Sequence, residues 1–111
     1  MTPPDNETQA LMHKARQALE DARLLLAHDR SEAAVNRIYY AAFDAARAAL
    51  LTQGEAPSSH SIDRRHWRTL AVAEDMRNRA DYNAFAVFDV EAATDMLGDV
   101  EQLVNAVADL L

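Results

Sequence analysis

Chain breakers are confined to a few places in this sequence. Pro3, Pro4, Gly54, Pro57 and Gly98 are its only prolines and glycines, and residues 5–53 and 58–97 hold neither. Glycine costs a helix interior about 1 kcal/mol and proline about 3, whereas alanine loses no side-chain entropy there. Half of the residues (50%) are apolar, alanine and leucine foremost. Such a chain is built for helices, and 111 residues suffice for one core but not for two. The expected fold class is all-α: one domain over residues 1–111, with residues 1–7 frayed and a loop at 54–62.

Apolar spacing divides the chain into four helical segments. The first runs to His28, capped by Asp5 or Thr8, with Leu11, Met12, Ala15, Ala18, Leu19, Ala22, Leu25 and Leu26 on one face. Ser31 is the expected N-cap of a second segment that ends at Gln53, with Gly54 in the left-handed C-terminal position. A third covers Asp63 to Ala80 and turns Trp67, Leu70, Ala73, Met76 and Ala80 inward. Asp89 caps a fourth, whose Val90, Ala93, Leu97, Val100, Val104, Val107 and Leu111 form a seam. Steps of three and four suit antiparallel packing at ~20°, as in an up-and-down bundle of four or five helices. Gly98 interrupts the fourth segment, either admitting a close neighbour or standing as a tolerated blemish.

The second segment differs from the others. Ala34, Val35, Ile38, Tyr39, Ala42, Ala45, Ala46, Ala49 and Leu50 form one apolar face, and Ala41, Phe43, Ala48 and Leu51 occupy much of the other. A helix apolar nearly all round is buried on both sides. In so small a bundle this points to a second copy of the chain, and a homodimer is expected.

Several functional classes are disfavoured. With no cysteine there is neither a disulfide nor a thiolate metal site, which is compatible with a reducing cytoplasm. No apolar run approaches the ~18 residues of a membrane span, and the polar start MTPPDNETQ does not read as a signal peptide. The expected location is cytoplasmic, with no membrane partner. His13, His28, His60 and His66 share no i, i+4 spacing, so no metal site is expected. No glycine-rich phosphate loop exists, and no cofactor is expected. A net charge of −7 opposes general nucleic-acid coating, which works by phosphate neutralisation. The charge is uneven, however. Residues 62–82 carry five arginines against four acids, while the remainder carries six basic residues against fourteen acids.

Two clusters can carry chemistry. Arg37, Tyr40, Asp44 and Arg47 share one face of the second segment, as a charge ladder or as a phosphate-binding and base-stacking surface. In "RNRADY" (77–82), Arg77 and Asp81 lie one helical turn apart, as do Asn78 and Tyr82. That spacing serves an intrahelical ion pair, or a site in which Arg77 and Arg79 meet phosphate.

Three stretches in order resemble the HEPN domain family, in the branch often paired with minimal nucleotidyltransferases. "AAVNRIYYAAFDAARAALL" (33–51) resembles its second helix, with an Arg-x-Tyr-Tyr-Ala-x-Phe core. "SSH" (58–60) resembles the Ser-His loop that follows, and "RNRADY" the Arg-x-x-Ala-Asp-Tyr element that ends the third long helix. The resemblance covers residues 8–111 and implies a dimeric bundle. Many members are metal-independent RNases acting as toxins, with an arginine followed four to six residues later by histidine at a site shared across the dimer. Nucleotidyltransferase partners neutralise some of them by transferring AMP to a tyrosine near that motif.

This chain departs from the pattern in two ways. Tyr82 stands where the RNase motif places histidine, and a phenol is a poor proton acceptor at neutral pH. Losing acid–base help costs roughly 10²–10⁴-fold. The literal match at Arg23 and His28 falls on the first helix, the wrong element. The stretch from Ser61 to Arg77 is also shorter, by about a mobile loop and a short helix, than the resemblance implies.

The expectation is a HEPN protein that acts with a minimal nucleotidyltransferase in a toxin–antitoxin-type module. It binds nucleotide or RNA through Arg37, Tyr40, His60, Arg77, Arg79, Asp81 and Tyr82 at a dimer cleft, with Tyr82 as the modification site. The alternatives are a metal-independent RNase using Arg77 and Asn78, with activity weakened or lost, and a purely structural dimerisation bundle.

Overall fold

The computed structural model describes residues 6–53, 64–83 and 89–111, and every element among them is an α-helix. The helices are α1 (Asn6–Ala27), α2 (Ser31–Gln53), α3 (Arg64–Tyr82) and α4 (Val90–Leu110). Among the described residues, α2 packs against α1, α3 and α4, whereas α1 and α3 do not approach one another. α2 is the hub of the bundle.

That position accounts for its composition. Ala34, Ala41, Ala42, Ala45 and Ala48 are fully buried, and their small side chains let three neighbours close around one axis. Ile38 fills the centre against Val100, Leu103, Val104 and Val107 of α4 and Ala15, Ala18 and Ala22 of α1. Ala41 and Ala48, expected on a face covered by another chain, belong to this internal core. The all-round apolar character of α2 is thus largely satisfied within one chain. What remains open is a narrower stripe of Tyr40, Phe43, Leu50 and Leu51, each between 39% and 45% exposed.

The helix ends refine the expected boundaries. Asn6 and Glu7 belong to α1. Thr8 is buried inside the first turns and does not cap them. At the other end of α1, the Arg30 N–H donates to the Leu25 carbonyl (2.8 Å) and the Asp29 N–H to that of Leu26 (3.1 Å). Asp29 takes φ 58° between them, completing a Schellman turn with aspartate where glycine is usual. The Ala34 N–H then donates to the Arg30 carbonyl, so Arg30 holds the cap position of α2 and Ser31 is its first helical residue. Three residues, His28, Asp29 and Arg30, reverse the chain.

α3 continues to Tyr82, past the expected end at Ala80, so the whole RNRADY stretch is helical. Asp89 caps α4 as expected: its backbone is extended and its carboxylate accepts from the Ala92 N–H at 2.7 Å. Five of the seven seam residues are buried. Val90 and Leu111 are largely exposed instead, and Met96 and Leu103 join the buried face. A Cβ at Gly98 would meet nothing within 4 Å, so this glycine admits no close neighbour. Arg23 and Glu101, 2.8 Å apart, tie α1 to α4 at the surface. Among the described residues, no helix is long and apolar enough to cross a membrane. Asp5, Gly54 and the expected loop at 54–62 lie outside the described residues.

Candidate functional site

The periodicity that buries α2 also decides which polar groups it presents. Tyr39 is on the buried side beside Ile38, and the next residues round the helix, Arg37 and Tyr40, reach the surface. Arg77 on α3 crosses to α2, where its guanidinium lies 4.6 Å from the centre of the Tyr39 ring. The Tyr39 ring meets Tyr40 edge-on (5.5 Å, 62°) and Phe43 at 5.9 Å. Arg37 stands over Tyr40 at 5.7 Å, and Arg47 over Phe43 at 6.0 Å. Three guanidiniums are therefore paired with three consecutive aromatic rings along one helix. Such contacts are worth about 0.5–2 kcal/mol each, more where water is excluded.

Arg77 is the most enclosed of the three, with its side chain 23% exposed. Its Nη2 donates to Asn78 Oδ1 at 3.1 Å, and its Nη1 lies 3.6 Å from Asp81 Oδ2, within ion-pair but not hydrogen-bond distance. Its Nε is buried and has no hydrogen-bond partner. The group is held in place with donor capacity to spare.

Arg37 and Arg47 do not form a ladder with Asp44. They reach acids on α1 instead: Arg37 lies 3.8 Å from Asp21, and Arg47 3.7 Å from Glu7. Lys14, Gln17, Asp21, Arg37, Tyr40, Phe43 and Asp44 line a groove of about 430 Å³ between α1 and α2. Burial raises the Asp44 carboxyl above its ordinary range, against the opposing pull of Lys14, Arg47 and Arg37. A second groove, of about 450 Å³, lies at the α1–α2 turn, with Asn36 and Asp81 on its walls. The Oδ1 of Asn36 is buried there without a hydrogen-bond partner.

The expected site residues are thus distributed unequally. Arg77, Asn78 and Asp81 form one unit against Tyr39, and Arg37 and Tyr40 continue it through the Tyr39–Tyr40 contact. Arg79 is two positions on, about 200° round the helix, and sits 3.5 Å from Asp75. Tyr82 ends α3 with 83% of its surface exposed, a phenol free to be approached. His60 lies outside the described residues. Sequence reasoning missed Tyr39 as the platform for Arg77, and missed Glu7, Lys14 and Asp21 as the charged partners from α1. A phenol on an otherwise aliphatic face was the one signal for Tyr39; the α1 charges carried none.

The HEPN domain family model matches residues 8–110. This chain belongs to the HEPN family. The HEPN chain is also similar to a UPF0332 protein of Thermotoga maritima, 33% identical over 88% of this chain and 86% of the relative. It is 44% identical to a UPF0332 protein of Gloeobacter violaceus across 55% of this chain and 46% of that relative. The matched region takes in the whole of α2 and α3, and with them Arg37, Tyr39, Tyr40, Arg77 and Tyr82.

Proposed function

We propose that this HEPN domain works with a minimal nucleotidyltransferase in a toxin–antitoxin-type module, binding nucleotide or RNA through its Arg/Tyr cluster at a cleft that a second copy completes. The observation that carries the reading is Arg77, three-quarters buried on an aromatic ring with an unpartnered Nε, five residues before a fully approachable Tyr82. A fixed guanidinium with spare donors suits phosphate, and rings at the edge of α2 suit a stacked base. RNA cleavage fits the residues less well, because Tyr82 offers a phenol where the reaction wants an imidazole.

Regulation follows from the same placement. In AMP transfer the Tyr82 phenol oxygen attacks the α-phosphorus of ATP. A phosphorus–oxygen bond forms, the bond to the β-phosphate breaks, pyrophosphate leaves, and the phenol proton passes to a base on the partner. In this reading Asp81 orients the phenol or a metal held by that partner. The adduct adds bulk and negative charge at the end of α3 and, in this reading, closes the nearby cluster to other phosphates.

The test is intact mass after incubation with the partner enzyme, ATP and magnesium. An increase of about 329 Da, one adenylyl group, is expected for the wild type and none for Tyr82→Phe. Equal labelling of the two would clear Tyr82 of this role.

A further inference from the structure

The groove between α1 and α2 is lined by groups that the fold leaves unmatched. Lys14, Gln17 and Asp21 step by three and four along α1, and Arg37, Tyr40 and Asp44 do so along α2, so two opposed helix faces form its walls. The pairing of Arg37 with Asp21 and of Arg47 with Glu7 sets the two helices antiparallel, with Lys14 toward the Asp44 end. The Arg37 Nε is buried with no hydrogen-bond partner, and its Nη2 lies 3.8 Å from Asp21, beyond hydrogen-bond distance. Native chains rarely leave a buried donor so. Burial raises the Asp44 carboxyl, and Lys14 is foremost among the cations that oppose the shift, so the two act on one another across the groove. Among the described residues, neither of them is committed to an ion pair. The half-exposed Tyr40 ring lies between Arg37 and Asp44 along α2.

We propose that this groove seats a guanine nucleotide: Asp44 accepts from N1–H and N2–H of the base, Lys14 donates to its O6, Tyr40 stacks on its ring, and Arg37 meets the phosphate. The proposal rests on the reading of the Arg/Tyr cluster as a nucleotide or RNA site, and it names the base. A carboxylate only accepts. On its Watson–Crick edge guanine alone sets two N–H donors side by side, with a carbonyl oxygen next to them for the ammonium. Adenine and cytosine offer a donor beside an acceptor, and uracil flanks its donor with two acceptors, so each meets Asp44 with a repulsive contact. Stacking on Tyr40 tolerates any base, and the choice falls to Asp44 and Lys14. Positions 37 and 44 are about 10 Å apart along the axis of α2, a span that one nucleotide bridges. The groove volume of about 430 Å³ lies within the range of roughly 300–1,000 Å³ that small ligands occupy. Asp21, beside Arg37, then accepts from a ribose hydroxyl.

The test is an amide NMR titration of the whole chain at pH 7 and constant ionic strength, with the 5′-monophosphates of guanosine, inosine, adenosine, cytidine and uridine. GMP is expected to move the amides of residues 14–21 and 37–44 and to bind about tenfold or more tightly than AMP, CMP or UMP, the worth of a charge-assisted hydrogen bond. IMP lacks only the 2-amino group and should fall between them. Asp44→Asn should remove the preference for GMP over IMP while UMP binding stays as it was, and Asp44→Glu should keep the preference. Lys14→Met should weaken GMP severalfold. GMP and the oligoribonucleotide UUGUU distinguish a free nucleotide from single-stranded RNA, and the seat is supported by either if UUGUU outbinds UUAUU at these signals. Equal affinity for all the monophosphates overturns the guanine assignment and leaves the nucleotide reading standing. A preference for GMP that survives Asp44→Asn overturns the role of Asp44. Shifts confined to residues 76–82 overturn this seat and leave Arg77 as the phosphate site. If no probe moves any signal, this proposal and the nucleotide reading fall together.

Discussion

The Arg77 guanidinium lies 4.6 Å from the centre of the Tyr39 ring, joining the last turns of α3 to the middle of α2. On the proposed function, Tyr39 would be a positioning residue for the phosphate that Arg77 meets. In a double-mutant cycle of Tyr39→Leu and Arg77→Met, followed by urea unfolding, we expect a coupling of about 0.5–2 kcal/mol. Arg77→Met should weaken oligoribonucleotide binding at Arg77 more than Tyr39→Leu does, because the second variant keeps the charge. A coupling near zero would mean that ring and cation are neighbours without mutual support.

Asp44 gives stability a definite pH dependence. Its carboxyl is raised by burial above its ordinary value of 3.8, so the folded chain keeps this proton where the unfolded chain has lost it. The stabilising contribution is complete below the ordinary value and is lost as pH rises through the folded one. Asp44→Asn should accordingly raise the melting temperature at pH 7, with the gain shrinking toward pH 3. An equal gain at both values would assign the effect to something other than charge.

Two backbone positions are open to improvement. Asp29 holds φ 58° at the end of α1, a conformation that costs a side chain up to about 1–2 kcal/mol and glycine almost nothing. Asp29→Gly should raise stability by about 0.5–1 kcal/mol, with Asp29→Ala giving no such gain. Gly98→Ala should add about 1 kcal/mol, since the new methyl group meets nothing within 4 Å. Each kcal/mol corresponds to roughly 4–8 °C by calorimetry in a domain near this size. A loss at position 98 would reveal a neighbour that the open space does not contain.

The half-exposed stripe of Tyr40, Phe43, Leu50 and Leu51 is the face on α2 where a second copy would dock. Light scattering at tens of micromolar should give about twice the 12.3 kDa of one chain, with Phe43→Glu/Leu51→Glu returning it to one chain. A wild-type mass of one chain would remove the dimer, and with it the part of the proposed cleft that a second copy supplies.

Much of this molecule is written in local patterns. Four helices, the Asp89 cap, the apolar faces of α1 and α4 and the HEPN resemblance all rest on residues a few positions apart. An apolar stripe and a cap act within one or two turns, so the sequence by itself determines them. It equally placed Arg77, Asn78, Asp81 and Tyr82 together at the end of one helix. The tertiary structure alone decided what covers α2, because an alanine face reads the same whether its own chain or another fills it. It decided that Arg37 and Arg47 answer to Asp21 and Glu7 rather than to Asp44, and that Tyr39 carries Arg77. It also set Asp29 in a left-handed turn, since closing α1 onto α2 within three residues demands that conformation whatever residue stands there. These are relations between groups brought together only by packing, and a period of 3.6 residues holds no record of them.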